Sequence, residues 1–190
     1  MHFIPLLSIL FTLLLLHLHP ASAKAIDINK DIPIDPQADI STVINDLHTL
    51  ATDLSTLTTA VNNFSGGILN ALDVQRKESA VESSLTQCTT DVDAIAAFSI
   101  ADSATITSLV LGLQPNIKSA LDGIVTKKPH FVNLGVSNLV AADIGSLHGK
   151  TGTLSLALQR KASSADRKTL FDTMKDLDAG FETALGAFKS

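Results

Sequence analysis

From Ile40 onward the chain carries an apolar residue at every third or fourth position: Ile40, Val43, Leu47, Leu50, Leu54, Leu57, Val61 and Phe64. That spacing winds one apolar stripe along a cylinder, and it predicts a long amphipathic α-helix opening at Asp39. Asp39 or Ser41 offers a side-chain acceptor to the free N–H groups of the first turn, and Gly66-Gly67 ends the helix by permitting a left-handed residue. Threonine and serine fill the positions between. They lower intrinsic helix propensity, so packing has to supply most of the stability.

The same period recurs along the rest of the chain. A second helix is expected over 68–98, with Leu72, Val81, Leu85, Cys88, Val92 and Ile95 inward and Gln75-Arg76-Lys77-Glu78 outward. Asp102 or Ser103 caps a third, carrying Ile106, Leu109, Val110 and Leu113. Pro115 should kink or split it before Ile117, Leu121 and Ile124. After a turn at 126–129, a fourth helix starts near Pro129 and carries Leu134, Leu139, Val140, Ile144, Leu147, Leu154 and Leu158. Its Gly135, Gly145, Gly149 and Gly152 each cost up to about 1 kcal/mol against alanine. A break near 149–152, or a close neighbour at the glycines, is the expected reason. The last helix begins at Ser163-Ser164 or Asp166 and carries Leu170, Met174, Leu177, Phe181, Leu185 and Phe188. No strand pattern intervenes, so the expected fold is all-α, an antiparallel bundle of about five long amphipathic helices over 39–190. Helices of this length could also associate as a coiled coil between chains.

The N-terminal pattern is different. Residues 3–18 form a nearly continuous apolar run that ends at Ala21-Ser22-Ala23, the form of a secretory signal peptide over 1–23. Residues 24–38 hold Ile26, Ile28, Ile32 and Ile34 with Pro33 and Pro36, an extended arm that does not continue as helix. The C-terminal stretch carries Glu182 and Lys189 where a lipid-anchor signal needs an apolar tail, so the expectation is a secreted chain without a transmembrane anchor.

Composition narrows the chemistry. The single cysteine, Cys88, forms no internal disulfide and falls in an apolar series, where a thiol packs as a small hydrophobe. A net charge of −5 without a Lys/Arg cluster excludes nucleic acid as a partner, since phosphates demand a basic stripe. Lys127-Lys128 reads as a solvated turn before Pro129, with a lipid headgroup or an anionic wall polymer as the alternative partner. Behind the leader only His48, His130 and His148 remain, scattered and without HExxH or CxxC spacing, so no metal site and no cofactor is expected. His48 reads as solvated, and His130 and His148 as hydrogen-bonded near helix ends. Asp91 with Asp93, and Asp172 with Asp176 and Asp178, lie on helix faces rather than in a calcium loop. No GxSxG elbow or comparable nucleophile motif is present, so no residue is assigned a catalytic role and no enzyme is expected. Asn63-Phe64-Ser65 is an N-glycosylation sequon at the end of the first helix, where a surface turn exposes it. What remains is hydrophobicity itself. The chain is 45% apolar, without Trp or Tyr, and its inward Leu, Ile, Val and Ala suit an acyl chain as well as they suit one another.

Taken in order, these features are a leader, Asp39-Ile40 opening a Thr/Leu helix, a Gly-Gly turn, a second long helix, a Pro-interrupted third and a closing Ala/Phe-rich helix. The pattern resembles the fungal hydrophobic surface-binding protein A family, also described as cell-wall galactomannoproteins. The resemblance spans about residues 25–189. It implies a five-helix bundle, secretion into the wall or medium, adsorption to hydrophobic surfaces and, in mannoprotein members, a fatty-acid cavity between helices. It implies no enzymatic activity. The chain lacks the Ser/Thr-rich stalk of anchored mannoproteins, so covalent wall attachment is not expected.

Two functions follow. The first is a carrier that encloses a fatty acid or other lipid. About 14 buried methylenes contribute on the order of 11 kcal/mol, against about 4–15 kcal/mol of association cost. An empty void of roughly 300 Å³ would cost about 7 kcal/mol, so a real pocket must be filled, collapsed or flexible. The alternative is a structural protein that adsorbs to hydrophobic surfaces or the cell wall, with wall glycans or a recruited secreted hydrolase as partners. A lipid site is expected near Pro115 and the glycine-rich helix, lined by Leu109, Leu113, Leu139, Leu170, Met174 and Phe181.

Overall fold

The structure, a computed structural model, describes residues 39–189. The leader and the extended arm assigned to 1–38 lie outside the described residues. Six helices follow: α1 Ile40–Asn63, α2 Ile68–Ala94, α3 Ile100–Thr126, α4 Lys128–Asn133, α5 Ser137–Lys161 and α6 Ser164–Lys189. The described residues contain no strand. Five helices are long, as expected. α4 is a six-residue addition, too short for a stripe to announce it.

The long helices form a closed ring. α1 packs on α2 and α3, α3 on α6, α6 on α5, and α5 back on α2. Short connections reverse the chain each time, so α1, α3 and α6 run one way and α2 and α5 the other. The bundle is therefore only partly antiparallel. Arg160 reaches Asp93 at 2.9 Å between the last turns of α5 and α2, and Ser103 reaches Asp166 at 2.6 Å between the first turns of α3 and α6. Both are contacts between parallel neighbours.

Capping fixes the starts. Asp39 accepts from the Thr42 N–H at 2.9 Å, and its carboxyl is held below the ordinary value by Ser41 and Thr42. α3 begins at Ser99 rather than Asp102 or Ser103. Ser99 accepts from the Asp102 N–H at 3.2 Å and donates back to the Asp102 carboxylate at 2.6 Å, which moves the cap three residues earlier. α2 stops at Ala94, short of the expected 98.

α3 runs unbroken through Pro115. Proline deprives the Leu111 carbonyl of its helical donor, but Leu111, Gly112 and Pro115 all lie on the exposed face, where water replaces it. α5 likewise continues through its glycines. A Cβ at Gly145 or Gly149 would meet nothing within 4 Å, and one at Gly152 would sit 3.9 Å from Met174 Cε, so no close neighbour requires them. The stripe of Ile144, Leu147, Leu154 and Leu158 carries the helix through. Gly135 alone marks a real break. Its φ of 71° lies in the left-handed region and turns α4 into α5.

On α2 two side chains face opposite to expectation. The buried positions are Glu78, Val81, Leu85, Cys88 and Val92. Extending that 3–4 spacing backward brings Ala71 and Val74 inward and turns Leu72 out, while Glu78 goes in. Cys88 is fully buried, and burial pushes its thiol up to about 12, which leaves it unreactive.

Candidate functional site

A ring of five helices has no central helix, so its axis is filled only by side chains from the walls. Two narrow apolar clefts lie end to end there, of about 30 Å³ and about 40 Å³. Leu50 of α1, Leu85 of α2, Ile117 of α3 and Thr151 of α5 line both clefts and so mark the point where they meet. Toward α4 the lumen continues between Leu54, Leu57, Leu121, Ile124 and Phe181. Away from α4 it runs between Leu113, Leu154, Leu170, Met174 and Leu177. All five long helices contribute. A site for a small molecule offers roughly 300–1,000 Å³, so the bundle as it stands is collapsed around its axis.

Of the residues expected to line a lipid site, Leu113, Leu170 and Met174 face the far cleft and Phe181 the near one. Leu109 is half-buried against the core and lines neither. Leu139 is a correction. It stands 52% exposed on the first turn of α5, because Val140, Ile144 and Leu147 hold the inward stripe and Leu139 lies about 100° away from Val140. Leu50, Leu85 and Thr151 were not assigned to a site. Thr151 had a signal nonetheless, since it fills the stripe position between Leu147 and Leu154.

The α4 end is closed by aromatic rings. Phe131 of α4 stacks on Phe64 at 4.4 Å between centroids and lies 6.1 Å from Phe188 at the end of α6. His130 meets Phe64 edge-on at 5.9 Å. His148 sits in the middle of α5, not near a helix end. Its ring stacks on Phe181 at 4.8 Å, and Nε2 lies 2.7 Å from the Asp178 carboxylate. That pair fixes the ring which forms one wall of the lumen. Asp172 pairs with Lys168, and Asp93 with Arg160.

The seam between α2 and α5 is the polar one. Lys150 donates to Thr86 at 3.2 Å and lies 4.0 Å from Glu82, and Lys161 donates to the Asp93 carbonyl at 3.2 Å. Nearer α4, Glu78 is only 6% exposed and its Oε1 has no hydrogen-bond partner, while Oε2 accepts from Gln75 at 3.1 Å. Burial, with Glu82 and Asp143 nearby, pushes Glu78 up to about 8; burial and Glu82 push Asp143 up to about 6. Among the described residues no group of three His, Cys, Asp or Glu is placed to hold a metal ion, and no helix is long and apolar enough to cross a membrane.

Fold and lumen together define a helical bundle with two narrow apolar clefts along its axis. The description "hydrophobic surface binding protein A" matches residues 40–160, and the chain belongs to that family. The solved structure of AFMP4P in complex with palmitic acid is 43% identical over 79% of this chain and 99% of its own, with a TM-score of 0.78. Ligand binding domain 2 of Penicillium marneffei MP1 protein, complexed with multiple arachidonic acids, shares the fold at 15% identity and a TM-score of 0.74, covering 79% of this chain and 96% of its own. Domain 1 of the same protein, also with arachidonic acids, aligns at 16% identity and 0.73, over 79% and 99%. Among curated protein sequences none matches this chain.

Proposed function

We propose that this chain is a secreted, non-enzymatic carrier that takes a long-chain fatty acid into the lumen of its helical ring. The observation that carries this reading is the lumen itself, an apolar channel to which all five long helices contribute and in which hydroxyl groups are few. The relative bound to palmitic acid, at 43% identity, supports the same ligand class. Dilation is built in. The cleft walls are mostly aliphatic side chains and a methionine, with Phe181 and the hydroxyls of Thr151, Ser155 and Thr173 among them, so few polar groups line the path an acyl chain would take.

Native mass spectrometry of the secreted protein, followed by melting with added palmitate or arachidonate, tests the reading. A co-purifying fatty acid and a melting temperature that climbs with ligand concentration are the expected results. Leu113→Trp and Met174→Trp, which fill the far cleft, should weaken binding. A ligand-free mass with no thermal shift at saturating fatty acid would overturn the carrier.

A second reading, adsorption to hydrophobic surfaces or the cell wall without an enclosed ligand, draws on the exposed Ile68, Leu69 and Leu72 and on the family's description. It predicts adsorption to an apolar film with no ligand-dependent melting. On either reading the leader is removed after Ala23, and Asn63 carries an N-glycan. Asn63 is exposed and lines an open groove on the side of the bundle with Ser55, Thr59, Asp73 and Lys77, which gives a sugar room along α1 and α2. A mass loss on endoglycosidase treatment, absent in Asn63→Gln, is the check.

A further inference from the structure

Large exposed apolar side chains are distributed unevenly over the bundle. Ile68, Leu69 and Leu72 stand out from the first turns of α2, Leu139 from the first turn of α5, and Val132 from α4. α2 and α5 are parallel neighbours that begin at the same end, and α4 lies at that end, so these residues gather at one pole. Single exposed leucines are ordinary. Among the described residues, five of the nine large exposed apolar side chains stand at this one pole, with Leu69 77% exposed, while Ile100, Leu111, Leu156 and Phe171 are spread over the rest of the bundle.

Charge selects the partner. Residues 54–72, which end α1 and begin α2, contain no charged side chain. Lys127 ends α3, Lys128 opens α4 and Lys189 ends α6, so cations border the apolar pole of a chain whose net charge is −5. The acids nearest that pole, Asp73 and Asp122, are paired with Arg76 and Lys118, whereas the opposite pole mixes both signs, Asp39, Asp46, Asp91, Asp93 and Asp102 with Arg160, Lys161, Arg167 and Lys168. An apolar centre with a lysine border complements a bilayer with anionic headgroups. Leucines enter the boundary between headgroups and acyl chains while the ammonium groups meet phosphate. A second copy of the same face would bring lysines against lysines.

The lumen is closed at this same pole. On α4 the adjacent residues Phe131 and Val132 lie about 100° apart, one in the aromatic cap and one half exposed to solvent. The backbone positions with positive φ among the described residues, Gly66, Gly67 and Gly135, all lie in the two connections here. A Cβ at Gly66 would stand 3.7 Å from His130 Nδ1, so the first connection already touches α4.

We propose that the α4 pole docks onto anionic lipid bilayers, and that seating Val132 in the bilayer draws Phe131 out of the cap and opens the lumen to acyl chains. The passage of acyl chains rests on the carrier reading above; the docking does not.

Flotation of the ligand-free protein with vesicles of phosphatidylcholine, with or without about 30% phosphatidylserine, tests it. The protein should float with the anionic vesicles and do so less at raised salt. Leu69→Asp with Leu72→Asp should lower the bound fraction about tenfold, whereas Ile100→Asp, at an 82% exposed site on the opposite pole, should leave it unchanged. Lys127→Glu should weaken flotation without altering the melting temperature. Transfer of a fluorescent fatty acid from the same vesicles should slow in parallel with flotation, while its binding from free solution stays at the wild-type value. Absence of flotation, or equal loss with Ile100→Asp, overturns the docking. So does a concentration-dependent dimer that Leu69→Asp dissolves. Flotation without any solution binding of fatty acid leaves the docking standing and removes the carrier.

Discussion

α1 and α2 lie side by side and are nearly equal in length, 24 and 27 residues, yet they hold the ring in different ways. Each buried position of α1 is aliphatic, its start is capped by Asp39, and its outer threonines return their hydroxyls to its own carbonyls, as Thr58 does to Leu54 at 2.8 Å. α2 starts from Gly67 at a φ of 87° with no side-chain cap, shows leucines to solvent, and buries Glu78 in its stripe. Carboxyl groups also flank it on the α1 side. Asp46 of α1 faces Asp91, its Oδ2 has no hydrogen-bond partner, and burial followed by Asp91 raises it to about 6. The same stripe geometry thus produces one stave whose buried stripe is wholly aliphatic and one whose stripe carries a buried carboxyl.

The largest expected difference between the two comes from the core. Leu50→Ala on α1, at the junction of the two clefts, should cost about 3 kcal/mol in urea denaturation and widen the lumen. A loss below about 1 kcal/mol would mean that the ring collapses onto the gap.

Next comes the buried carboxylate. Glu78, Asp143 and Asp46 have pKa values raised on folding, so the stability they allow is fully present below pH about 4. It is lost as pH rises through about 6 and then about 8. The melting temperature should therefore fall between pH 4 and pH 8. Glu78→Gln should restore roughly 2–4 kcal/mol at pH 8 and flatten the profile. Identical profiles for variant and wild type would place the pH dependence elsewhere.

Removing the cap with Asp39→Ala should cost about 1 kcal/mol. Amide exchange should show the first turns of α2, which lack such a cap, opening before those of α1. Smallest of all, Leu72→Ala on the exposed face should change stability by less than about 0.5 kcal/mol.

Much of the fold was legible because burial in a helix repeats every three or four residues. α1 was readable from end to end for that reason, and Asp39 with its following turn marked the start. The errors have physical causes. Leu72 and Glu78 were misassigned because α2 carries apolar residues on two faces at its start, and only the neighbours decide which face turns in. Pro115 and the glycines of α5 predicted breaks, but Pro115 lies on the solvent face and the apolar stripe of α5 carries that helix through its glycines. α4 is too short for a period, so its aromatic plug had no sequence signature. The lumen was the least visible feature. Its lining consists of ordinary stripe residues, and only the order of helices around the ring, which no local spacing encodes, turns them into the wall of a channel.

That order has a consequence for how the chain folds. α6, the last helix made, stands between α3 and α5, so the ring has no closed perimeter until the end of the chain is in place. Contacts such as Ser103 with Asp166 and Asp93 with Arg160 join residues more than sixty positions apart, a late and non-local step for an all-helical protein. Assembly therefore ends by shutting a half-cylinder around its own axis. Under the carrier reading proposed above, a chain refolded beside free fatty acid should close over it and release it more slowly than one loaded after folding.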